Sequence, residues 1–191
     1  MLVKIVVPKS NVNEKKAEQA ILYICNRMSD CPGFGSVMLN KVLYYADHTH
    51  FLKSGKTITG FGYIKQQFGP TPKPSEFLPI KERLKSEKKL EEKHVEVFGR
   101  FQKRPVALTP KDDSGFTSSE VADLEEIISA FSGATGTMVS ELSHAHLAWK
   151  MAELMEELPH YTYLLTEAQL EEKDLKWGRS QIASHKSACV R

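Results

Sequence analysis

LKSGKTITGFGYIKQQFGPTP, residues 52–72, holds the decision about the fold, because its GKT triplet at 55–57 has the look of a phosphate loop. A phosphate loop needs G-x-x-x-x-G-K-[ST], so that successive backbone N–H groups can curl around the phosphates. Counting back from Gly55, the first glycine would have to stand at position 50, which is His50. The order of elements is also reversed. A phosphate loop follows a strand and opens a helix, whose N-terminus offers the positive end of its dipole. Here the segment before Gly55 carries Leu39, Val42, Leu43, Ala46 and His50 along one helical stripe. The segment after it, TITGFGYIKQQF, is β-branched and aromatic, as strands are. Gly55 therefore reads as a helix C-terminus, residues 57–68 as an extended segment with glycines at 60 and 62, and Gly69-Pro70 as a turn.

Working outward, residues 14–30 place Ala17, Ala20, Ile21, Ile24 and Met28 at steps of three and four, an amphipathic helix that CPGFG (31–35) stops. Ser36 reads as the N-cap of the second helix. On the far side, a third helix opens near Ser75, with Pro79 acceptable only near its start. The run KERLKSEKKLEEK (81–93) mixes both signs and reads as a solvated helix face. HVEVFG and RPVALT flank RFQK and suggest a hairpin. SSEVADLEEIISAF is a further helix, capped by Ser118 or Ser119, with Val121, Leu124, Ile127, Ile128 and Phe131 inward. After GATG, residues 137–158 continue as one long helical pattern ended by Pro159. Thr166 and Gln169 have the spacing of a capping box for a last helix, and LVKIVV (2–7) reads as a short strand.

The fold class expected is α+β and mainly α-helical: one compact domain of five to seven helices with a small antiparallel sheet or hairpins. Its organisation is an N-terminal strand or arm over 1–13, the main domain over 14–165, and a C-terminal extension over 166–191, helical or partly disordered. The tail from Glu171 has three acids against five bases, and Leu175, Trp177 and Ile182 are the residues that would dock it.

Charge and composition narrow the functions. The chain of 191 residues is 41% hydrophobic with a formal charge of +2, which offers no electrostatic case for nucleic acid as a partner. Cys25, Cys31 and Cys189 form no disulfide framework, and a reducing compartment fits them. The opening apolar run is too short for a signal-peptide core, and no later run approaches the roughly 18 residues of a membrane helix. The location expected is the cytoplasm.

Two D/E-x-x-H pairs, Asp47 with His50 and Glu141 with His144, put a carboxylate and an imidazole on one helix face. Such pairs build di-iron sites in bundles when further acids support them, and Asp123 and Glu126 are available. The cheaper reading is structural, a histidine bonded to a carboxylate or a carbonyl. His144 and His146 lie on different helix faces. Cys25 sits by an apolar face, and Ser140 and Ser143 lack the glycine context of a nucleophile elbow. Tyr44, Tyr45, Phe51, Phe61, Tyr63 and Trp149 read as core or interface aromatics. No catalytic triad assembles and no cofactor is indicated; the residues describe a binder.

Residues 40–72, NKVLYYADHTHFLKSGKTITGFGYIKQQFGPTP, resemble the first half of the Panacea domain, also described as SocA-like or phage-associated GepA-like. The pattern is a K-L-L-Y-x-A-D helix, a G-x-x-I-T-G-x-x-Y strand, then G-P. It is met at Lys41, Leu43, Tyr44, Ala46, Asp47, Gly55, Ile58, Thr59, Gly60, Tyr63, Gly69 and Pro70. VSELSHAHLAWK is similar to the second half, with His144 in the serine-histidine pair and Trp149-Lys150 downstream. The resemblance covers roughly 14–165; Val42 departs from the usual leucine, and the tail has no counterpart. It implies an antitoxin of a toxin–antitoxin system, without enzymatic chemistry of its own, that neutralises a cognate toxin protein by direct binding. Alternatives are an adaptor delivering a toxin to an intracellular protease and, in another class, a metal-dependent enzyme using Asp47, His50, Glu141 and His144. Under the antitoxin reading Tyr63, Phe68, Arg100 and Arg104 are toxin-contact candidates, with Tyr63 and Phe68 equally readable as core. Tyr44, Asp47, Gly60, Gly69, Pro70, His144 and Trp149 are expected to hold the fold.

Overall fold

A computed structural model describes residues 12–97 and 99–164. The expected N-terminal strand, the capping box at Thr166 and the C-terminal extension lie outside the described residues. The fold is α+β and mainly helical: α1 (Glu14–Arg27), α2 (Ser36–Ser54), β1 (Tyr63–Gln66), β2 (Gly69–Pro72), α3 (Pro74–Ser86), β3 (Leu90–Val97), β4 (Arg100–Ala107), α4 (Ser118–Phe131), α5 (Gly136–His144) and α6 (Leu147–Met151), followed by a 3-10 turn over His160–Leu164. Among the described residues no helix is long and apolar enough to cross a membrane.

Helix α2 is the axis of the domain. Met38, Leu39, Lys41, Val42, Leu43, Tyr44, Ala46, Asp47, His48 and His50 are all buried, so the helix is covered on every side rather than along one stripe. A helix of that kind belongs inside a protein, not on its face. It packs against α1, α4, α5, β2, β4 and the 3-10 turn. Each fully buried Leu, Ile, Met or Phe in the shared core contributes about 1.5–3 kcal/mol. The outer helices are amphipathic as their spacing predicts: α1 buries Ala17, Ala20, Ile21 and Ile24, and α4 buries Leu124, Ile127, Ile128 and Phe131.

The caps differ in detail from the sequence reading. Ser36 is the first helical residue of α2 and Gly35 occupies the cap, its carbonyl accepting from the Leu39 N–H (2.9 Å), while the Ser36 hydroxyl donates to the Lys103 carbonyl on β4 (3.2 Å). Helix α4 is capped by Thr117, one residue before the serines; its hydroxyl accepts from the Glu120 N–H while Glu120 accepts from the Thr117 N–H. That reciprocal pair satisfies two of the donors a helix start leaves open. Helix α3 opens at Pro74, and Pro79 falls inside it.

Two sheets of two antiparallel strands are present among the described residues. In the first, Tyr63 pairs with Pro72 and Gln66 with Gly69, so the turn is Gln67-Phe68 and Gly69-Pro70 begins the returning strand. In the second, Leu90 pairs with Ala107 and Val97 with Arg100. The charge run 81–93 thus leaves helix α3 at Ser86 and enters β3 at Leu90, and RFQK lies within β4 rather than in the turn. The largest departure is the expected long helix from 137. It stops at His144, restarts at Leu147 and ends at Met151. The chain then runs extended beside β1, where the Lys65 N–H donates to the Glu156 carbonyl (2.9 Å) and the Leu158 N–H to that of Tyr63 (2.8 Å). The edge of β1 left free by β2 has backbone groups that must be paired, and this segment pairs them.

Candidate functional site

Asp47 organises the stretch on which the sequence reading turned. It is fully buried on α2, and its carboxylate accepts from the N–H groups of Ile58 (2.9 Å) and Thr59 (2.8 Å), the Thr59 hydroxyl and the Tyr63 hydroxyl (2.7 Å). Residues 58 and 59 therefore give their N–H groups to a side chain and not to a ladder, as do Phe61 to the Thr59 hydroxyl (3.1 Å) and Gly62 to Glu76 (2.7 Å). Burial pushes the Asp47 carboxyl above its ordinary value, against the hydrogen bonds from Thr59 and Tyr63 that pull it down. Upstream, Gly55 closes α2 in the left-handed conformation (φ 73°) and its N–H bonds the Phe51 carbonyl. No helix starts at the GKT triplet, so nothing there could cradle a phosphate in the phosphate-loop manner.

Tyr63 was open between core and contact. It is 0% exposed, with its ring set edge-on to Tyr44 at 5.1 Å and its hydroxyl on Asp47. Phe68, at the turn between β1 and β2, is 60% exposed. Of the two residues, Phe68 alone offers its ring to a partner. Gly60 adopts a left-handed φ of 78° directly after the Asp47-bound residues.

The base of this hairpin is held by Gly69 and Lys41. Gly69 has φ 99°, and a Cβ there would run into Ser143 Oγ on α5 and Lys41 Nζ on α2. Only glycine allows three elements to meet this closely. Lys41 is 1% exposed and donates to the Pro70 carbonyl (3.0 Å); burial lowers its ammonium to about 7. A pocket of about 240 Å³ opens here between α2 and the hairpin turn.

Beside the hairpin, the His144 and Trp149 rings stack at 3.9 Å, and the Lys65 ammonium sits 4.1 Å over Trp149. Lys65 also donates to the Ala152 carbonyl (2.8 Å), tying β1 to the segment after α6. Burial and the neighbouring Lys41 and Lys65 hold the His144 imidazole below its ordinary value. The segment pinned in this way exposes Met151, Leu154 and Met155, and the Gln66 amide on β1 reaches the Met155 sulfur at 2.9 Å. Phe68 on the hairpin and Leu142 on α5, which packs against β2, are exposed as well.

The other candidates are placed elsewhere. Arg104 is half-buried and donates to the carbonyls of Cys31 (3.3 Å), Pro32 (2.7 Å) and Phe34 (3.1 Å), clamping β4 onto the loop before α2. Arg100 begins β4, and its side chain lies outside what the structure describes. The proposed metal ligands are not brought together. Asp47 is committed to residues 58–63, whereas His50 bonds Asp123 (2.7 Å), which also takes Lys53 (2.6 Å), and Lys53 continues to Glu126 (2.9 Å). The acids considered as supports for a metal are thus tied into a network between α2 and α4. Glu141 is exposed, and His144 faces Trp149. Among the described residues no group of three or more His, Cys, Asp or Glu could hold a metal ion.

The role of Lys41 was not read from the sequence, where it was one motif position among many. The available signal was its place in a helix with Leu39, Val42 and Leu43 on either side and Tyr44 and Ala46 beyond, which leaves little room for a solvated stem.

A family model described as antitoxin SocA-like, Panacea domain, matches residues 39–150, more than half of the chain. No curated protein and no solved structure matches it.

Proposed function

The chain belongs to the antitoxin SocA-like, Panacea domain family, and from that premise we propose that it neutralises a cognate toxin in the cytoplasm by direct protein–protein binding. The observation that supports this most is the set of exposed apolar side chains on the β1–β2 hairpin and on the elements beside it: Phe68, Leu142, Met151, Leu154 and Met155. Aromatic and methionine side chains are enriched where proteins bind each other. The hairpin under them is rigid, since Asp47, Gly69 and the segment beside β1 each fix it. A rigid platform loses little entropy on association.

The test is neutralisation of a toxin encoded by an adjacent gene, in cells and with purified components. Wild-type chain is expected to inhibit the purified toxin with no protease present. Phe68→Ala is expected to weaken inhibition by about tenfold or more, as truncating an anchor does. Neutralisation that requires a protease would replace direct binding with an adaptor role. Full neutralisation by Phe68→Ala would move the contact surface away from the hairpin.

A further inference from the structure

Four charged side chains other than histidine lie buried in the described core: Lys41, Asp47, Glu120 and Asp123. The three acids all meet full partners. Asp47 takes its donors from residues 58–63; Glu120 takes Lys16 and the Thr117 N–H; Asp123 takes His50 and Lys53. Lys41 differs. Among the described residues its ammonium has the Pro70 carbonyl and no carboxylate. The titratable groups around it are His144 on α5, held below its ordinary value, and, through His144, Lys65 on β1 and the exposed Glu141 on α5, which acts on His144 in the opposite sense. A buried ammonium without a counter-charge is costly, and an anion brought to it forms a strong charge-assisted hydrogen bond. The pocket over it is lined by Val37, Asn40, Gln66, Gln67, Phe68 and Thr71, so no acid of its own lines it.

We propose that this pocket receives an aspartate or glutamate side chain of the bound partner protein, whose carboxylate pairs with Lys41 while Phe68 packs beside it. That the partner is a toxin rests on the antitoxin reading; the chemistry of the pocket does not. The amides of Asn40, Gln66 and Gln67 at the lining can donate to the carboxylate's remaining lone pairs. Phe68 shields the pair from water, which strengthens it. The pairing also links affinity to pH. The free ammonium titrates at about 7, and a bound carboxylate raises that value. Binding therefore takes up a proton above pH 7, and affinity falls by up to about tenfold per pH unit until the bound value is reached.

Glutarate is the probe, with glutaramide as its neutral counterpart, read by nuclear magnetic resonance of the Lys41 side chain in the full chain. The Lys41 amine is expected to titrate near neutrality in the free protein, and to move upward with glutarate but not with glutaramide. Gln67→Glu should weaken the glutarate response of Lys41 by about tenfold or more, and Lys41→Met should weaken glutarate binding by as much, read there from the backbone amides of Gln66 and Gln67. Gln67 is exposed, so that variant folds whatever Lys41 does for stability. An ordinary titration near 10.5, equal shifts with glutaramide, or no response would overturn the proposal. In cells, a wild-type chain that neutralises its toxin while Lys41→Met and Gln67→Glu do so equally well overturns the acid anchor and leaves the antitoxin reading standing. A wild-type chain that fails to neutralise removes that reading, and the glutarate titration then decides the pocket by itself.

Discussion

Asp47 and Lys41 are opposite charges buried on the same helix, and the protein treats them in opposite ways. Asp47 accepts hydrogen bonds from two backbone N–H groups and two hydroxyls, all from residues 58–63. Lys41 has the Pro70 carbonyl. Both tether the hairpin to α2, Asp47 at the entry to β1 and Lys41 at the start of β2. A buried charge supplied with all the partners it can use is a structural fixture, since any further ligand would have to displace them. A buried charge left short of counter-charge keeps capacity for a ligand. The contrast therefore separates, within one motif, the residue that builds the platform from the residue positioned to use it.

Breaking the Asp47 end should have the larger consequence. Asp47→Ala leaves the Ile58 and Thr59 N–H groups and the Tyr63 hydroxyl buried without their acceptor. Loss of one partner from a buried, charged network costs about 3–5 kcal/mol. Urea denaturation should show that loss, or no folded protein at all. A variant that unfolds within about 1 kcal/mol of wild type would mean that water replaces the carboxylate, and that Asp47 is not the fixture.

Gly69→Ala tests the junction between the two ends. The alanine would have to hold φ near 99° with its methyl against Ser143 and Lys41. Left-handed strain in a non-glycine residue costs about 1–3 kcal/mol, and the crowding adds to it. The expected result is a destabilisation smaller than that of Asp47→Ala, together with an altered Lys41 titration, because the methyl displaces the ammonium. An unchanged titration would show that Lys41 is not held against Gly69 as described.

How far the sequence carries depends on which force sets each feature. Helices α1, α2 and α4 were legible because their apolar spacing is a local pattern. The extended reading of 57–68 was right in kind, but only Tyr63–Gln66 is strand, because the Asp47 carboxylate satisfies residues 58 and 59 in place of a ladder. The hairpin was legible from HVEVFG and RPVALT, but β3 begins earlier, at Leu90 inside the charge run, where acids and lysines hide the strand pattern. The break after α5 was not legible at all. SHAHLAWKM keeps helical composition, and tertiary contacts decide the matter: His146 meets the Tyr45 hydroxyl (3.2 Å) and Trp149 folds back on His144. At the site, Asp47 was expected to hold the fold, and its carboxylate accepts four hydrogen bonds from residues 58–63; a structural histidine was expected to bond a carboxylate, and His50 bonds Asp123. Lys41 was missed as a buried charge because lysine ordinarily sits in water, and only the packing on every side of α2 shows otherwise.

The Lys41 end can be sharpened by its dependence on pH, where the effect is the smallest per step but has a definite sign. The folded ammonium titrates at about 7 against an ordinary 10.5. Between those values the unfolded chain holds the proton and the folded chain does not. Raising pH through this window therefore favours folding, by at most about 1.4 kcal/mol per pH unit. Below pH 7 both states are protonated, and the cost of burying the charge is complete and constant. Lys41→Met keeps the length of the stem and removes the charge, so its stability should lack this slope. At pH 7 the variant should be as stable as wild type or more so, as often follows when an apolar residue replaces a buried charge. The measurement is chemical denaturation of both proteins from pH 6 to 9, comparing their difference so that other titrating groups cancel. A difference that shrinks as pH rises is the expected result. A constant difference would mean that Lys41 stays charged in the folded protein and already has its counter-charge, and the contrast with Asp47 would disappear.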